Sequence, residues 1–538
     1  MADPSPQVGL PNNEWIELKN TTNASINLQN WRIGDATGQS GPLPNFILQP
    51  DSFIVVCATS AVTALSAFAT VISVTSFPSL DNDGDQLFLR SPNGMVIHAL
   101  SYSLSWYQNE LKQEGGWTLE MIDTKSPCAG ISNWMASTHI SGGTPAKKNT
   151  VDAINNDQTA PRLKKAYTTD NTTIILVFDE PVDSVKGATA SNYTIDGGLT
   201  IVSAITLPPL FNTIQLKTNN PLAANIVYHI RVEQVTDCKN NVISTANTTR
   251  VGIPIDPMAG DWIINEILFN PRPNAYDYIE CYNNSNSIFD ASQLYLANRN
   301  SSGVTSSIKA LSPSPVYIFP GDYMVVTEDA DNLAMNYLVK YPENILTISS
   351  LPPFPDEEGT VILLNFQGAI IDEVTYKKSW HFKLLANDEG VSLERIDPAA
   401  SSQDETNWHS AASTAGFGTP TYKNSQYKQS VGSVAAIEVS KIFSPDNDGL
   451  DDIASIQYKM DAPGYVANIT LFDAVGRPVR NLVRNGTLGL SGYWNWDGLD
   501  DKGNKLPVGP YIVFTEIFNL QGKKERFKQV VILARKLN

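Results

Sequence analysis

The chain has 538 residues, with 38 Lys+Arg against 55 Asp+Glu, a formal charge of −17, 42% hydrophobic and 17% charged residues. That apolar content belongs to a folded chain, not an acidic disordered one, and at roughly 150 residues per domain the length suits three or four domains. The acidic balance argues against a nucleic-acid binder, which needs a clustered basic surface, and no run of about 20 apolar residues exists to cross a membrane. The four cysteines, Cys57, Cys128, Cys238 and Cys281, make no C-x-x-C pair, which speaks against a zinc knuckle. Cys57 and Cys281 lie in apolar runs and read as buried strand thiols. Such sparse cysteine fits a cytosol and a Gram-negative exterior equally well.

Residues 1–150 consist of short β-rich runs separated by turn clusters, Asp81-Asn82-Asp83-Gly84-Asp85 and Ser91-Pro92-Asn93-Gly94 among them. Five blocks of this segment return, in order, in residues 260–424. Trp15-Ile16-Glu17-Leu18-Lys19-Asn20 answers Tyr278-Ile279-Glu280-Cys281-Tyr282-Asn283, and Phe53-Ile54-Val55-Val56 answers Tyr323-Met324-Val325-Val326. Thr118-Leu119-Glu120 answers Ser392-Leu393-Glu394, Asn133-Trp134 answers Asn407-Trp408, and Gly143-Thr144-Pro145 answers Gly418-Thr419-Pro420. Helical stretches are confined to 61–69 and 330–340, at equivalent places in the two copies. Between the copies, residues 155–255 alternate strands and turns in a different order, through Thr173-Ile174-Ile175-Leu176-Val177-Phe178-Asp179-Glu180-Pro181 and Val227-Tyr228-His229-Ile230-Arg231-Val232. Residues 433–538 form a fourth unit, opened by Phe443-Ser444-Pro445-Asp446-Asn447-Asp448-Gly449 and carrying Trp494-Asn495-Trp496-Asp497-Gly498. The expected fold is all-β, four tandem Ig-like sandwiches that fold independently across polar linkers at 149–159 and 424–433.

The repeated blocks resemble the bacterial lamin-tail domain, an Ig-like sandwich, with Ile264-Asn265-Glu266-Ile267, Pro271 and Tyr278-Ile279-Glu280 in the second copy carrying its pattern. Residues 155–255 are similar to a bacterial Ig-like domain with a Phe-Ser-Glu-Pro-Val motif, Asp179 standing in the Ser place. Residues 433–538 resemble the Ig-like domain of the flagellar hook-capping protein. Close relatives of that domain end secreted proteins of gliding bacteria with type IX secretion. The resemblances imply a non-enzymatic extracytoplasmic protein of a Gram-negative surface, an adhesin, spacer or accessory subunit of an envelope assembly, with a protein of the envelope or a surface polysaccharide as partner. The alternatives are a carbohydrate-binding surface protein and the non-catalytic part of a secreted hydrolase or nuclease.

Aligning Pro4 with Pro271 sets Met1 against Leu268, so the first copy is expected to lack the strand that residues 261–267 form in the second. A late start at Met1, with a signal peptide further upstream, is the expectation that follows. The open sheet edge would invite a strand from another chain.

Glu17 and Glu280 recur as a matched pair and read as acceptors for loop amides. None of the five histidines recurs in a matching block, and neither H-E-x-x-H nor G-x-S-x-G nor a P-loop appears. Asp81–Asp85 reads as a hairpin turn. Trp134 and Trp408 read as core anchors. Trp106 and Trp380 match each other near a loop and are the tryptophans to test for ligand contact. The loop 444–452 alternates oxygen-bearing residues with Gly449 at the turn, so a calcium ion would be held by Asp446, Asp448 and Asp452; an ordinary metal-free turn needs the same composition and is the weightier reading. If those carboxylates hold calcium, chelation lowers the melting temperature of residues 433–538 alone, because binding to the native state adds to stability. A melting curve unchanged by chelator removes the site.

Overall fold

The computed structural model describes residues 1–382, 385, 387–427, 436–445 and 453–535. The metal-loop aspartates Asp446, Asp448 and Asp452 lie outside the described residues. The protein is all-β, built of Ig-like sandwiches, and it divides into two compact units, Met1–Ile253 and Pro254–Asn538.

In the first unit, Trp15–Lys19 pairs antiparallel with Phe53–Ala58, which pairs parallel with Val71–Val74. A second sheet joins Arg32–Gly34, Gly84–Arg90 and Val96–Ser103. Leu119–Met121 and Trp134–Ala136 form a separate ribbon. A further sandwich follows: a four-stranded sheet ordered Leu163–Asp170, Thr173–Phe178, Thr213–Thr218, Ile201–Leu207, and a three-stranded one ordered Tyr193–Ile195, Tyr228–Val232, Thr248–Val251.

The second unit opens with a continuous six-stranded sheet ordered Ile345–Thr347, Tyr323–Thr327, Tyr278–Asn283, Trp262–Leu268, Leu393–Arg395, Trp408–Ser410. Four strands face it, Glu358–Asn365 and Ile370–Lys377 among them. Its last sandwich pairs a three-stranded sheet with a five-stranded one in which Tyr465–Phe472, Gly509–Asn519 and Lys524–Leu533 are adjacent.

The helical stretches are shorter than the sequence predicts. Within them, Val62–Leu65 and Ala330–Asn336 are α-helical. Each lies in the crossover that a parallel strand pair requires, Val55↔Val71 in one unit and Val325↔Ile345 in the other. Asp329 caps the longer helix by accepting from the Asn332 amide. Asp81–Asp85 is a bend leading into Gly84–Arg90, not a hairpin; the hairpin turn is at Ser91, whose amide donates to the Met95 carbonyl.

Nor are the described parts of the expected linkers free of contacts. The Thr150 amide and hydroxyl both donate to Glu120, the Asn155 amide donates to Asp123, and Asn241 Nδ2 donates to the Asp157 carbonyl. Cys128 and Cys238 form a disulfide between the two sandwiches of the first unit. In the second unit, Gln426 is buried and donates to the Ser410 and Leu488 carbonyls.

The two repeated segments differ in one element. Trp262–Leu268 sits between Tyr278–Asn283 and Leu393–Arg395, and every residue of it is buried. Its neighbours share one core, from Trp262 and Ile279 to Val374, Tyr376 and Trp408. In the first unit no strand stands beside Trp15–Lys19 except Phe53–Ala58. There the core breaks into separate groups around Ile54, Trp15 and Tyr102. Of Trp15–Lys19 only Trp15 is buried.

Ile279→Ala is therefore expected to cost about 2–5 kcal/mol, the range for a fully enclosed aliphatic side chain. The matched Ile16→Ala, half-buried at an open edge, should cost less than half as much. Denaturant titration of both variants checks the difference.

Candidate functional site

Three glutamates stand side by side in the second unit. Glu266 is paired with Glu280 on one side and Glu394 on the other, and all three are fully buried. Strand alternation turns them to the same face, where the loop 418–426 meets them. Thr421 N donates to Glu280 Oε2 at 2.6 Å. Thr419 N and its hydroxyl donate to Glu266 at 2.8 and 2.9 Å, and that hydroxyl also lies 2.9 Å from Glu394 Oε1. Gln426 N and Ser425 Oγ donate to Glu394 Oε2, both at 2.8 Å. Tyr278 Oη and Ser392 Oγ complete Glu266 at 2.6 and 2.5 Å. Thr421 takes a left-handed φ of 73°, which aims its amide at the carboxylate.

Burial pushes all three acids up, Glu394 to about 8; neighbouring carboxylates add to this at Glu280 and Glu394, and the hydrogen-bond donors around each oppose it. Such a row is enclosed and saturated by its own loop.

The first unit repeats this arrangement with its middle member missing. Ala146 N donates to Glu17 Oε2 at 2.5 Å, from a residue with φ 55°. Thr144 Oγ1 donates to Glu120 Oε1, and the Thr150 amide and hydroxyl to Glu120 Oε2. Burial pushes Glu17 up to about 8, and Glu120 adds to the rise. Between the two glutamates runs a cavity of ≈ 350 Å³ in place of a strand. Its walls are the edges of Trp15–Lys19 and Leu119–Met121, and its floor includes Leu87, Leu100 and Tyr102.

Trp106 lines this cavity and leans on Trp134, ring centroids 6.0 Å apart. Its counterpart Trp380 packs against the closed core and stacks on Trp408 at 6.4 Å. Both are half-buried, so the matched pair does not present two exposed platforms. Trp408 is a core residue, whereas Trp134 stays half-buried at the cavity wall.

Sequence reasoning passed over Glu120, Glu266 and Glu394, although Glu120 and Glu394 recur in a matched block. It passed over Asp157, and it took Glu180 as a strand-end polar residue and Asp237 as a framework position, whereas the ligand atoms of the three lie within 4.8 Å of one another. Burial and the neighbouring aspartates push Glu180 up to about 8. These three could offer a cation one oxygen each, but Asp237 already accepts from the backbone amides of Lys239 and Asn241.

Comparison with known proteins bears on the first of the repeated segments. Residues 1–103 match the family model of the Lamin Tail Domain. No curated protein matches the chain in sequence. Among solved structures, the N-terminal part of the bacterial S-layer protein SbsC aligns at 13% identity, over 31% of this chain and 40% of that one, with TM-score 0.17. A DUF4876 family protein from Bacteroides thetaiotaomicron aligns at 12% identity, over 39% and 85%, with TM-score 0.19. Dimeric latent PorU from Porphyromonas gingivalis aligns at 10%, over 75% and 35%, with TM-score 0.16. The chain thus spans about two fifths of the SbsC fragment, and superpositions this loose carry no functional argument.

The carboxylate row makes stability depend on pH. Glu394 binds its proton more tightly folded than unfolded, so its contribution is complete below the ordinary carboxylate range, near pH 4.5, and is lost as pH rises through about 8. Thermal unfolding should show the second unit losing stability between pH 5 and 8. Glu394→Gln should flatten that slope.

Proposed function

We propose that the chain is a non-enzymatic, extracytoplasmic multidomain protein of a Gram-negative cell surface, acting as an adhesin, spacer or accessory subunit of an envelope assembly. The observation that carries this reading is the Cys128–Cys238 disulfide. Disulfides persist in oxidising compartments and are rare in the cytosol, which tips a composition that by itself fits either side of the inner membrane. No helix among the described residues is long and apolar enough to cross a membrane.

The same reading takes residues 260–424 as a second lamin-tail domain, 155–255 as a bacterial Ig-like domain and 433–538 as a hook-cap-type domain. The second lamin-tail assignment is supported by the recurrence of the loop-to-glutamate bonds, Ala146 to Glu17 and Thr421 to Glu280. The hook-cap resemblance makes type IX secretion the export route to test. Calcium at Asp446, Asp448 and Asp452 is part of the proposal, as is a protein or polysaccharide partner at the surface. Against a catalytic role for the glutamate row stands its enclosure, since a reacting substrate must reach its acid and base.

Thiol labelling of protein recovered from its native cells tests the compartment. After denaturation without reductant, Cys57 and Cys281 should label and Cys128 and Cys238 should not; after reduction all four should. Protease treatment of intact cells should remove the protein. Labelling of all four cysteines without reductant, or protection from protease, contradicts the reading.

A further inference from the structure

The two sandwiches of the second unit meet along a seam made of neutral groups. Ser413 N donates to Thr487 Oγ1 at 3.2 Å and Ser413 Oγ to the Thr487 carbonyl at 2.9 Å, and Thr414 Oγ1 lies 2.7 Å from Tyr458 Oη. Leu490 N donates to the Ser425 carbonyl at 3.0 Å, and Gln426 Nε2 to that of Leu488 at 3.2 Å. Among the described residues no ion pair crosses this seam. The apolar clusters on its two sides, one around Ile279 and Trp408 and one around Ile469 and Trp496, have no residue in common. Each side has a core of its own.

His409 stands in the seam with only one ring nitrogen engaged. Its Nδ1 lies 2.9 Å from the Ser410 carbonyl, so in the neutral ring the proton sits there and Nε2 carries a bare lone pair. That Nε2 is enclosed with no hydrogen-bond partner among the described residues. The last sandwich closes over it at Gly464, where a Cβ would stand 3.5 Å from Nε2 and 4.0 Å from Phe382 Cε2. The Phe382 ring lies 5.3 Å from the imidazole. A second histidine, His381, lies 2.8 Å from Ser410 Oγ through its own Nδ1, and its Nε2 is likewise enclosed and unpaired.

No neighbour offers an added proton an acceptor. Glu394, opposite His409 on the paired strand, accepts from Ser425 and Gln426 and keeps its own proton below about pH 8. Arg395 on that strand is taken up by Asp372. Lys378 and Asp388, which act on His381, pair with each other at 3.5 Å. Lys423 lies over the Tyr427 ring. On the last sandwich, Asp461, in the bend that ends at Gly464, is held by Lys523 at 2.8 Å. An imidazolium at position 409 would therefore be an enclosed charge without a counter-ion. Burial holds the proton affinity of His409 below the ordinary histidine value, whereas a ring released into water takes its proton near about pH 6.5. The contact is thus at full strength above that pH and weakens as pH falls below it, the sign for a group that binds its proton less tightly when enclosed.

We propose that this seam is an acid-opened joint: protonation of His409 Nε2 releases the last sandwich from its neighbour while both stay folded. This goes beyond the cell-surface reading and does not rest on it. Glu394 shifts stability with the opposite sign, so the joint is read locally and not from global melting.

Amide hydrogen exchange of the full chain at about pH 7.5 and about pH 5, corrected for intrinsic rates, tests the joint. Protection at Ser413 and Leu490, whose amides cross the seam, should fall by about tenfold or more at the lower pH, while the core strands Tyr278–Asn283 and Gly509–Asn519 stay protected. In His409→Gln, neutral at both pH values, the fall at those two amides should vanish. Unchanged protection at Ser413 and Leu490, an equal fall in His409→Gln, or a matching loss in the core strands overturns the proposal. Should His409→Gln fail to fold, deuterium exchange at each imidazole Cε1, resolved by mass spectrometry on the unaltered chain, decides the matter. A His409 midpoint about one pH unit or more below the ordinary value upholds the joint, and a midpoint near about 6.5 overturns it.

Discussion

A carboxylate accepting a loop's backbone amide is the interaction on which the repeated sandwiches depend. Glu17 and Glu280 each lie mid-strand, yet each reaches a loop more than a hundred residues further along the chain, at Ala146 and Thr421. A buried charge is costly unless several donors converge on it. Glu266 and Glu394 together draw on Thr419, Tyr278, Ser392, Ser425 and Gln426. The Gly-Thr-Pro loop is thereby fixed against the strands.

One strand separates the two versions of this arrangement. Where Trp262–Leu268 is present, the sheet is continuous over six strands and one core spans both layers. Where no such strand stands, a three-stranded sheet and a ribbon face each other across a cavity, and the floor strands Gly84–Arg90 and Val96–Ser103 are largely half-buried. The equivalent Glu358–Asn365 is buried from Thr360 onward. Packing of a floor strand depends on what covers it, and here the cover over Gly84–Arg90 and Val96–Ser103 is thinner.

Much of this was legible in residues. The all-β class followed from short alternating runs between turn clusters, and the open edge followed from aligning Pro4 with Pro271. Glu17 and Glu280 stood out because they recur in register. The rest depended on distance across the fold. Glu120 and Glu394 recur too, but nothing local tells that they stand across a sheet from Glu17 and Glu280. Cys128 and Cys238 are 110 residues apart in different sandwiches, a pairing that spacing does not disclose. The helical stretches were overextended because apolar spacing continues past the point where the crossover must turn back toward its parallel strand.

The disulfide has a mechanical consequence. It closes a loop spanning 110 residues of sequence, which embraces almost all of the second sandwich. Fully drawn out, such a length of chain would reach roughly 350–400 Å at 3.3–3.6 Å per residue. Tension applied through the two ends of the chain passes from Cys128 directly to Cys238, and the strands between them bear none of it. Under oxidising conditions that sandwich is sheltered from stretching. Reduction of a single bond would place it in series with the load and release its hidden length.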